Sequence, residues 1–341
     1  MNCLSLSDIE FNQPLESIIN KNAIPPKFSA CSFDNYIPDD NFPSQRQAKQ
    51  KLIHFVEDLS QFVSSKKGLL KRFFAKKPKH IYLDGVFGVG KTHLLAAIGN
   101  TFKGKTIFIS FSELMYLIAY STLKDVADRF SSFDLILLDE FEIDDPGDAM
   151  MGINFIREIN KTDTVIAATS NTLPSQLGAR KLDMLVFKTR MGSLINSFET
   201  IVIDGKDYRI KSPKINSLNN SSTLKDICIN STSKKQNLYT TFDNLLDVLE
   251  NVHPVRYKSI AEAAKTIYIE NIHPLKEKDL LNALRFTYLI DILYYYDVEI
   301  FATSTCDLFD IFHNDLKSGK FNTKIGRCIS RLAEKATIIK Y

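Results

Sequence analysis

Two hydrophobic rhythms divide the chain. From residue 80 to about 204, short apolar runs at 81–83, 106–111, 134–138, 164–169 and 200–203 alternate with stretches of helical spacing. Leu135-Ile136-Leu137-Leu138 is continuously apolar, as expected of a strand buried on both faces. This alternation predicts an α/β fold, a parallel sheet flanked by helices. Ahead of it, Leu52, Phe55, Val56, Leu59 and Val63 recur at helical spacing, predicting a helix over 45–63 with Ser44 as its cap. After residue 236 the spacing reads as helical to the end, with candidate helices at 242–252, 260–268, 279–296, 307–316 and 323–336.

Polar segments suggest the boundaries between these regions. Residues 1–44 contain Pro14, Pro25, Pro26, Pro38 and Pro43 and read as an extended arm. The sheet-forming core spans 45–210. Ser, Asn and Lys dominate 211–236, which reads as a polar linker or mobile insertion. Residues 237–341 then form a small all-α domain, a helical lid. Between the first helix and the first strand lies a basic stretch, Lys66, Lys67, Lys71, Arg72, Lys76, Lys77 and Lys79, interleaved with Leu69, Leu70, Phe73 and Phe74. Such a segment suits an acidic partner, nucleic acid or lipid, or simply a solvated amphipathic connector.

Composition narrows the class. The 341 residues are 44% hydrophobic, enough for a substantial core, and the net charge of +3 is too small to imply nucleic acid by itself. The five cysteines, Cys3, Cys31, Cys228, Cys306 and Cys328, are scattered without a C-x-x-C pair. They read as buried or free thiols in a reducing compartment. No apolar run reaches the length of a membrane span, so any membrane contact would be peripheral. The N-terminus lacks the features of a signal peptide, and the expected location is cytoplasmic.

The strongest chemical signal is Gly85-Val86-Phe87-Gly88-Val89-Gly90-Lys91-Thr92, a G-x-x-x-x-G-K-T phosphate loop between an apolar strand and a helix-like run that starts at His93. Glycines let the backbone N–H groups of the loop face phosphates, and the following helix N-terminus adds positive potential. Lys91 would reach the β- and γ-phosphates of ATP, Thr92 would hold Mg2+, and the whole loop with His93 is expected to contact the nucleotide. The third core run ends in Asp139-Glu140, a Walker-B arrangement. Parallel strands end at one edge, so Asp139 would sit beside Mg2+ while Glu140 orients and deprotonates the attacking water. Asn171, just past the fourth run, is the candidate to stand beside the γ-phosphate. Hydrolysis also needs a cation facing the developing negative charge. Arg180 and Arg190, between the fourth and fifth runs, are candidates, one of them acting from a neighbouring subunit. Arg327 and Arg331 share a face of the last predicted helix. Arg331 could fold back onto the nucleotide, or the two could form a solvated face. The acids Glu142, Asp144, Asp145 and Asp148 match no metal-ligand pattern and read as helix-start acids around Pro146.

Taken together, the motifs identify a family. The chain resembles the ZapE-like branch of the AAA+ ATPases, in its actinobacterial form. The resemblance rests on Pro25-Pro26-Lys27-Phe28, Ser32-Phe33-Asp34-Asn35-Tyr36, the phosphate loop, Asp139-Glu140-Phe141 through Asp144-Asp145-Pro146-Gly147-Asp148, Ala167-Ala168-Thr169-Ser170-Asn171-Thr172-Leu173-Pro174, and Asp207-Tyr208-Arg209. It implies a P-loop AAA+ core of five parallel strands in the order 5-1-4-3-2. It also implies Mg-dependent ATP hydrolysis, assembly into a homo-oligomeric ring, and action on a protein partner, the FtsZ division ring. The chain departs from the family where Val86 replaces a loop glycine, where Arg180 and Arg190 are displaced by one position, and where Ile292, Tyr295 and Tyr296 replace charged residues. Two other readings stay open: a nucleic-acid-associated ATPase of helicase-loader type, disfavoured by the modest charge, and a nucleotide-dependent scaffold without turnover.

Overall fold

A computed structural model describes residues 3–11, 19, 24–66, 76–86, 88–141, 146–171, 196–206, 214–217, 223–231, 236–318 and 321–340. The chain divides into two compact units, Ile19–Tyr208 and Met1–Ile18 with Arg209–Tyr341. The 44 residues read as one arm are thus shared between them. The first strand, β1 (Cys3–Leu4), belongs to the second unit.

The first unit opens with α1 (Pro43–Ser65). Proline at its first turn fixes φ for helix entry without losing a needed N–H. Ser44 therefore falls inside the helix and does not cap it; its hydroxyl accepts the N–H of Asp204 at 2.9 Å. There follow β2 (His80–Gly85), α2 (Lys91–Thr101), β3 (Thr106–Ser110), α3 (Phe111–Tyr120), α4 (Leu123–Phe130), β4 (Leu135–Asp139), α5 (Pro146–Asn160), β5 (Val165–Ser170) and β6 (Phe198–Ile203). Helix starts at α3 and α4 are capped by Ser110 and Thr122, whose hydroxyls accept the N–H groups of Glu113 and Asp125. The five strands run parallel in the order β3-β4-β5-β2-β6, which is 5-1-4-3-2 when numbered within this core. Leu83, Leu137 and Ala167 of the sheet pack with Leu52 and Leu59 of α1 and with Leu94 and Ile98 of α2 in one buried cluster. All five strand ends therefore open at one edge of a rigid layer, where the phosphate loop lies.

The second unit corrects the expectation of an all-α domain. Its elements are β1, β7 (Lys214–Ser217), α6 (Leu224–Asn230), β8 (Asn237–Thr241), α7 (Phe242–Asn251), α8 (Lys258–Ala263), β9 (Thr266–Ile272), α9 (Leu280–Tyr295), β10 (Glu299–Ser304), α10 (Asn314–Ser318), α11 (Asn322–Lys335) and β11 (Ala336–Lys340). The expected helices at 242–252, 279–296 and 323–336 are present as α7, α9 and α11. They flank a six-stranded parallel sheet in the order β1-β8-β9-β10-β11-β7, so this unit is α/β. The cause of the misreading is local. Short apolar runs such as Thr266–Ile272 carry too few positions for spacing alone to separate helix from strand. The polar stretch 211–236 also supplies structure, the edge strand β7 and helix α6. Buried Leu224 and Cys228 of α6 pack with Tyr268 and Ile339 on the sheet. Cys3 and Cys228 form a disulfide across 225 positions of sequence, which corrects the reading of all five cysteines as thiols; Cys31, Cys306 and Cys328 are free.

Candidate functional site

The phosphate loop joins β2 to α2, and its shape follows from its glycines. Gly88 and Gly90 have φ of 80° and 87°, left-handed conformations that cost other residues energy. At Gly85 a side chain would collide with the carbonyl oxygen of Ile203, because β6 runs directly alongside. Val86 is exposed, Val89 is buried, and Phe87 lies outside the described residues. Lys91 opens α2 and is only 8% exposed. Its Nζ donates to Gly85 O at 2.6 Å, Val86 O at 2.7 Å and Asn171 Oδ1 at 2.8 Å, which uses all three protons. Asn171, chosen from sequence for a place beside the γ-phosphate, thus meets the lysine chosen for the same phosphate. Burial pushes the neighbouring Asp84 carboxyl above its usual range, with Lys91 pulling the other way.

The acids stand where the strand order places them. Asp139 ends β4 and is fully buried. Thr92 Oγ1 lies 3.1 Å and 3.2 Å from its two carboxylate oxygens. Thr169 on β5 donates to Asp139 Oδ1 at 2.5 Å. Glu140 follows with φ of 58°. For a residue with a side chain this conformation costs about 1–2 kcal/mol, so the surroundings must hold it. Two bonds do so: Glu140 N–H donates to Thr169 Oγ1 at 2.9 Å, and Phe141 N–H donates to Thr169 O at 2.7 Å.

The residues before α1 close over the loop. Tyr36 donates its hydroxyl to Val89 O at 3.2 Å, and its ring lies against Gly90. His93, expected among the nucleotide contacts, turns its ring toward this segment, with Nε2 3.0 Å from Ser32 O. Gln45 Nε2 reaches Asp204 O at 2.8 Å. Tyr36 lies in a motif that carried the family resemblance, yet nothing in its spacing, or in that of Gln45, assigned either a task. Thr169 was missed for the same reason.

The arginines divide differently. Arg180 and Arg190 lie outside the described residues, as do Glu142, Asp144 and Asp145. Arg331 is not on a solvated face: it is buried within the second unit and ion-paired with Asp291, and its guanidinium stacks 4.9 Å from the rings of both Tyr294 and Tyr295. Arg327 binds the same carboxylate at 2.9 Å. Burial alone would push Asp291 up, but the two arginines outweigh it and hold the carboxyl below its usual range. The charge of Arg331 is therefore matched by Asp291 inside its own unit. Among the described residues no group of His, Cys, Asp and Glu is arranged as a metal cage.

The donor set at the loop nonetheless fits Mg2+ with a triphosphate. A hydroxyl and a carboxylate, both hard oxygen donors, lie within about 3 Å of each other, and Mg2+ takes its other ligands from phosphate and water. Glycine conformations, a helix N-terminus and a buried ammonium suit the phosphates. Among the described residues, no helix is long and apolar enough to cross a membrane.

Comparison with solved structures finds DnaI, at 23% identity and TM-score 0.43 over 54% of this chain and 93% of that one. AMPPCP-bound DnaA from Aquifex aeolicus matches at 20% identity and TM-score 0.39, over 53% of this chain and 52% of that one. The DnaC helicase loader matches at 16% identity and TM-score 0.37, over 52% and 99%. The chain thus spans about half the length of the DnaA structure it matches. The profile of the AFG1-like ATPases covers far more, matching residues 28–247 and again 227–338. By that match, the chain belongs to the AFG1-like ATPases, a family of AAA+ P-loop proteins.

Proposed function

We propose that this protein hydrolyses ATP with Mg2+ and uses the cycle to act on a protein partner, as a ZapE-like ATPase of the actinobacterial form. One observation carries the reading: Lys91, Thr92, Asp139, Glu140 and Asn171 converge at one sheet edge, with Lys91 bonded to Asn171 and Thr92 to Asp139. ATP enters with its phosphates against the N–H groups of the loop. Lys91 exchanges its carbonyl contacts for β- and γ-oxygens. Thr92 and Asp139 would hold Mg2+, which would supply positive charge to neutralise the phosphates. Glu140 holds the water for in-line attack and takes its proton, and Asn171 stands beside the γ-phosphate. The arginine that meets the developing charge comes from Arg180 or Arg190, across a ring interface between subunits.

Purified protein tests this directly. Lys91→Ala should abolish Mg2+-dependent turnover, and Glu140→Gln should slow it at least about 100-fold while ATP still binds. Unchanged turnover in both variants would remove the proposal. Tight binding without turnover in the wild type would leave the scaffold reading. Measuring the rate per subunit against protein concentration, with and without polymerised FtsZ, tests the ring and the partner together. A rate flat in both titrations removes both.

A second reading, a nucleic-acid-associated ATPase, draws on a cavity of about 970 Å³ beside α1, lined by Lys51, Lys76, Lys77 and Lys79 as well as Asp58 and Glu199. DNA affinity that falls steeply with salt would support it. No binding at low salt would exclude it.

A further inference from the structure

The geometry points to Thr169 as a positioning residue that aims both Walker-B acids, through one hydroxyl shared between Asp139 and Glu140. The inference rests on the ATPase reading above and deepens it.

A hydroxyl has one proton to give and lone pairs to receive with. Glu140 N–H can only donate, so Thr169 Oγ1 accepts from it at 2.9 Å. The same hydroxyl has its own proton left to give, and donates it to the carboxylate oxygen Oδ1 of Asp139 at 2.5 Å. The hydroxyl thus accepts on one side and donates on the other, and Thr169 is only 2% exposed, so water does not stand in for it.

Register explains why a side chain does this work. The β4–β5 ladder pairs Leu135 with Val165 and continues to Leu138 with Ala168, where it ends. Asp139 and Thr169 are the next residues on the two strands. Beyond the last backbone pair, the chain turns away at Glu140 with φ of 58°, and the Thr169 hydroxyl takes over where a ladder bond would have been. Phe141 N–H then returns to Thr169 O at 2.7 Å. The turn that presents Glu140 is thus hung on Thr169 by both side chain and carbonyl.

The metal-side group is fixed as well. Asp139 Oδ1 receives Thr169 and Thr92, and Oδ2 faces Thr92 at 3.2 Å, which sets the plane of the carboxylate. Asn171, two residues after Thr169, holds Lys91. The end of β5 therefore carries the contact to the phosphate-side lysine and the aim of the two acids in a single short segment.

Two substitutions separate positioning from packing. Thr169→Val keeps the shape and removes the hydroxyl; Thr169→Ser keeps the hydroxyl and removes a methyl group. In nucleotide-free protein, amide exchange followed by NMR should show Glu140 N–H exchanging at least about 10-fold faster in the valine variant. Phe141 N–H, bonded to a carbonyl that both variants keep, should stay within about threefold of wild type. In the loaded enzyme the valine variant should lose about 10–100-fold in kcat, while its affinity for ATP without Mg2+ stays within about threefold. Serine should restore both the exchange rate and kcat. Wild-type kcat in the valine variant, or unchanged exchange at Glu140, would overturn the inference. So would equal losses of affinity and turnover in both variants, because that pattern marks packing. If the wild type itself does not turn over, the ATPase reading fails, and the exchange measurement still decides whether Thr169 holds the turn.

Discussion

His80 gives a stability prediction that can be worked through from the structure. It begins β2, is 2% exposed, and uses both ring nitrogens. Nδ1 lies 3.0 Å from the backbone N–H of Ile166, so it must accept and carry no proton. Nε2 then bears the proton and donates to Asn160 Oδ1 at 2.5 Å. Protonating Nδ1 would break the first bond and set a donor against a donor. Burial, and after it the charge of Lys77, lowers the pKa from 6.5 to about 4, against the opposing effect of the Asn160 bond.

The sign follows from linkage. In the unfolded chain His80 binds a proton below its ordinary pKa of 6.5, whereas in the folded chain it stays neutral down to about 4. Its contribution is fully present above the unfolded value and is lost as pH falls through this window. The full shift corresponds to about 3 kcal/mol. Between pH 7 and pH 5 the loss is about 2 kcal/mol. Other groups titrate there too, so the assay is a difference: urea unfolding of wild type and His80→Asn at both pH values. Asparagine keeps an acceptor for the Ile166 N–H and does not titrate. The wild type should lose about 2 kcal/mol more than the variant on acidification. A direct check is the ring resonance of His80, which should remain that of the Nε2–H tautomer through pH 5. A midpoint near 6.5, or parallel pH profiles for both proteins, would refute the reasoning.

Other substitutions test close contacts. Gly85→Ala should force β2 away from the Ile203 carbonyl, costing about 1–3 kcal/mol and weakening ATP binding; a melting curve and a fluorescent nucleotide titration read both. Asp291→Asn should leave Arg327 and Arg331 buried without their counter-charge, lowering stability by about 3–5 kcal/mol in urea unfolding; a loss below about 1 kcal/mol would show that the cluster is better solvated than its burial indicates.

These cases show what a linear reading can reach. The core strands were legible because each is a compact apolar run between turn signals, and the assigned runs fall within a few residues of β2 to β6. That the loop, Asp139 and Asn171 meet at one edge was legible because each leaves a local mark, a glycine spacing, a charge closing an apolar run or a polar residue just past one. The strands of the second unit were not. Thr266–Ile272 follows a helical turn at Lys258–Ala263 without a strong breaker, so the two merge into one apparent helix. Nor was the fate of Arg331: its partner Asp291 sits on another helix, and four-residue spacing of two arginines looks the same on a solvated face as on a buried one.

Thr169 and Gly85 extend this point to the chemistry. Thr169 carries no charge and marks no spacing, and Gly85 shows in the sequence only as the first glycine of the loop, with no sign of the carbonyl it must clear. Each matters because of which strand lies beside it: β6 brings the Ile203 carbonyl against Gly85, and β4 brings Asp139 against Thr169. The motif residues are the candidates for the reacting groups, and their geometry is set by the pairing of parallel strands that are far apart in sequence. A one-residue slip of β5 against β4 would turn Thr169 away from Asp139 and release Glu140 from its turn while leaving every motif intact. Sequence motifs are therefore necessary for this site, and the register of β5 between β4 and β2 decides whether they act together.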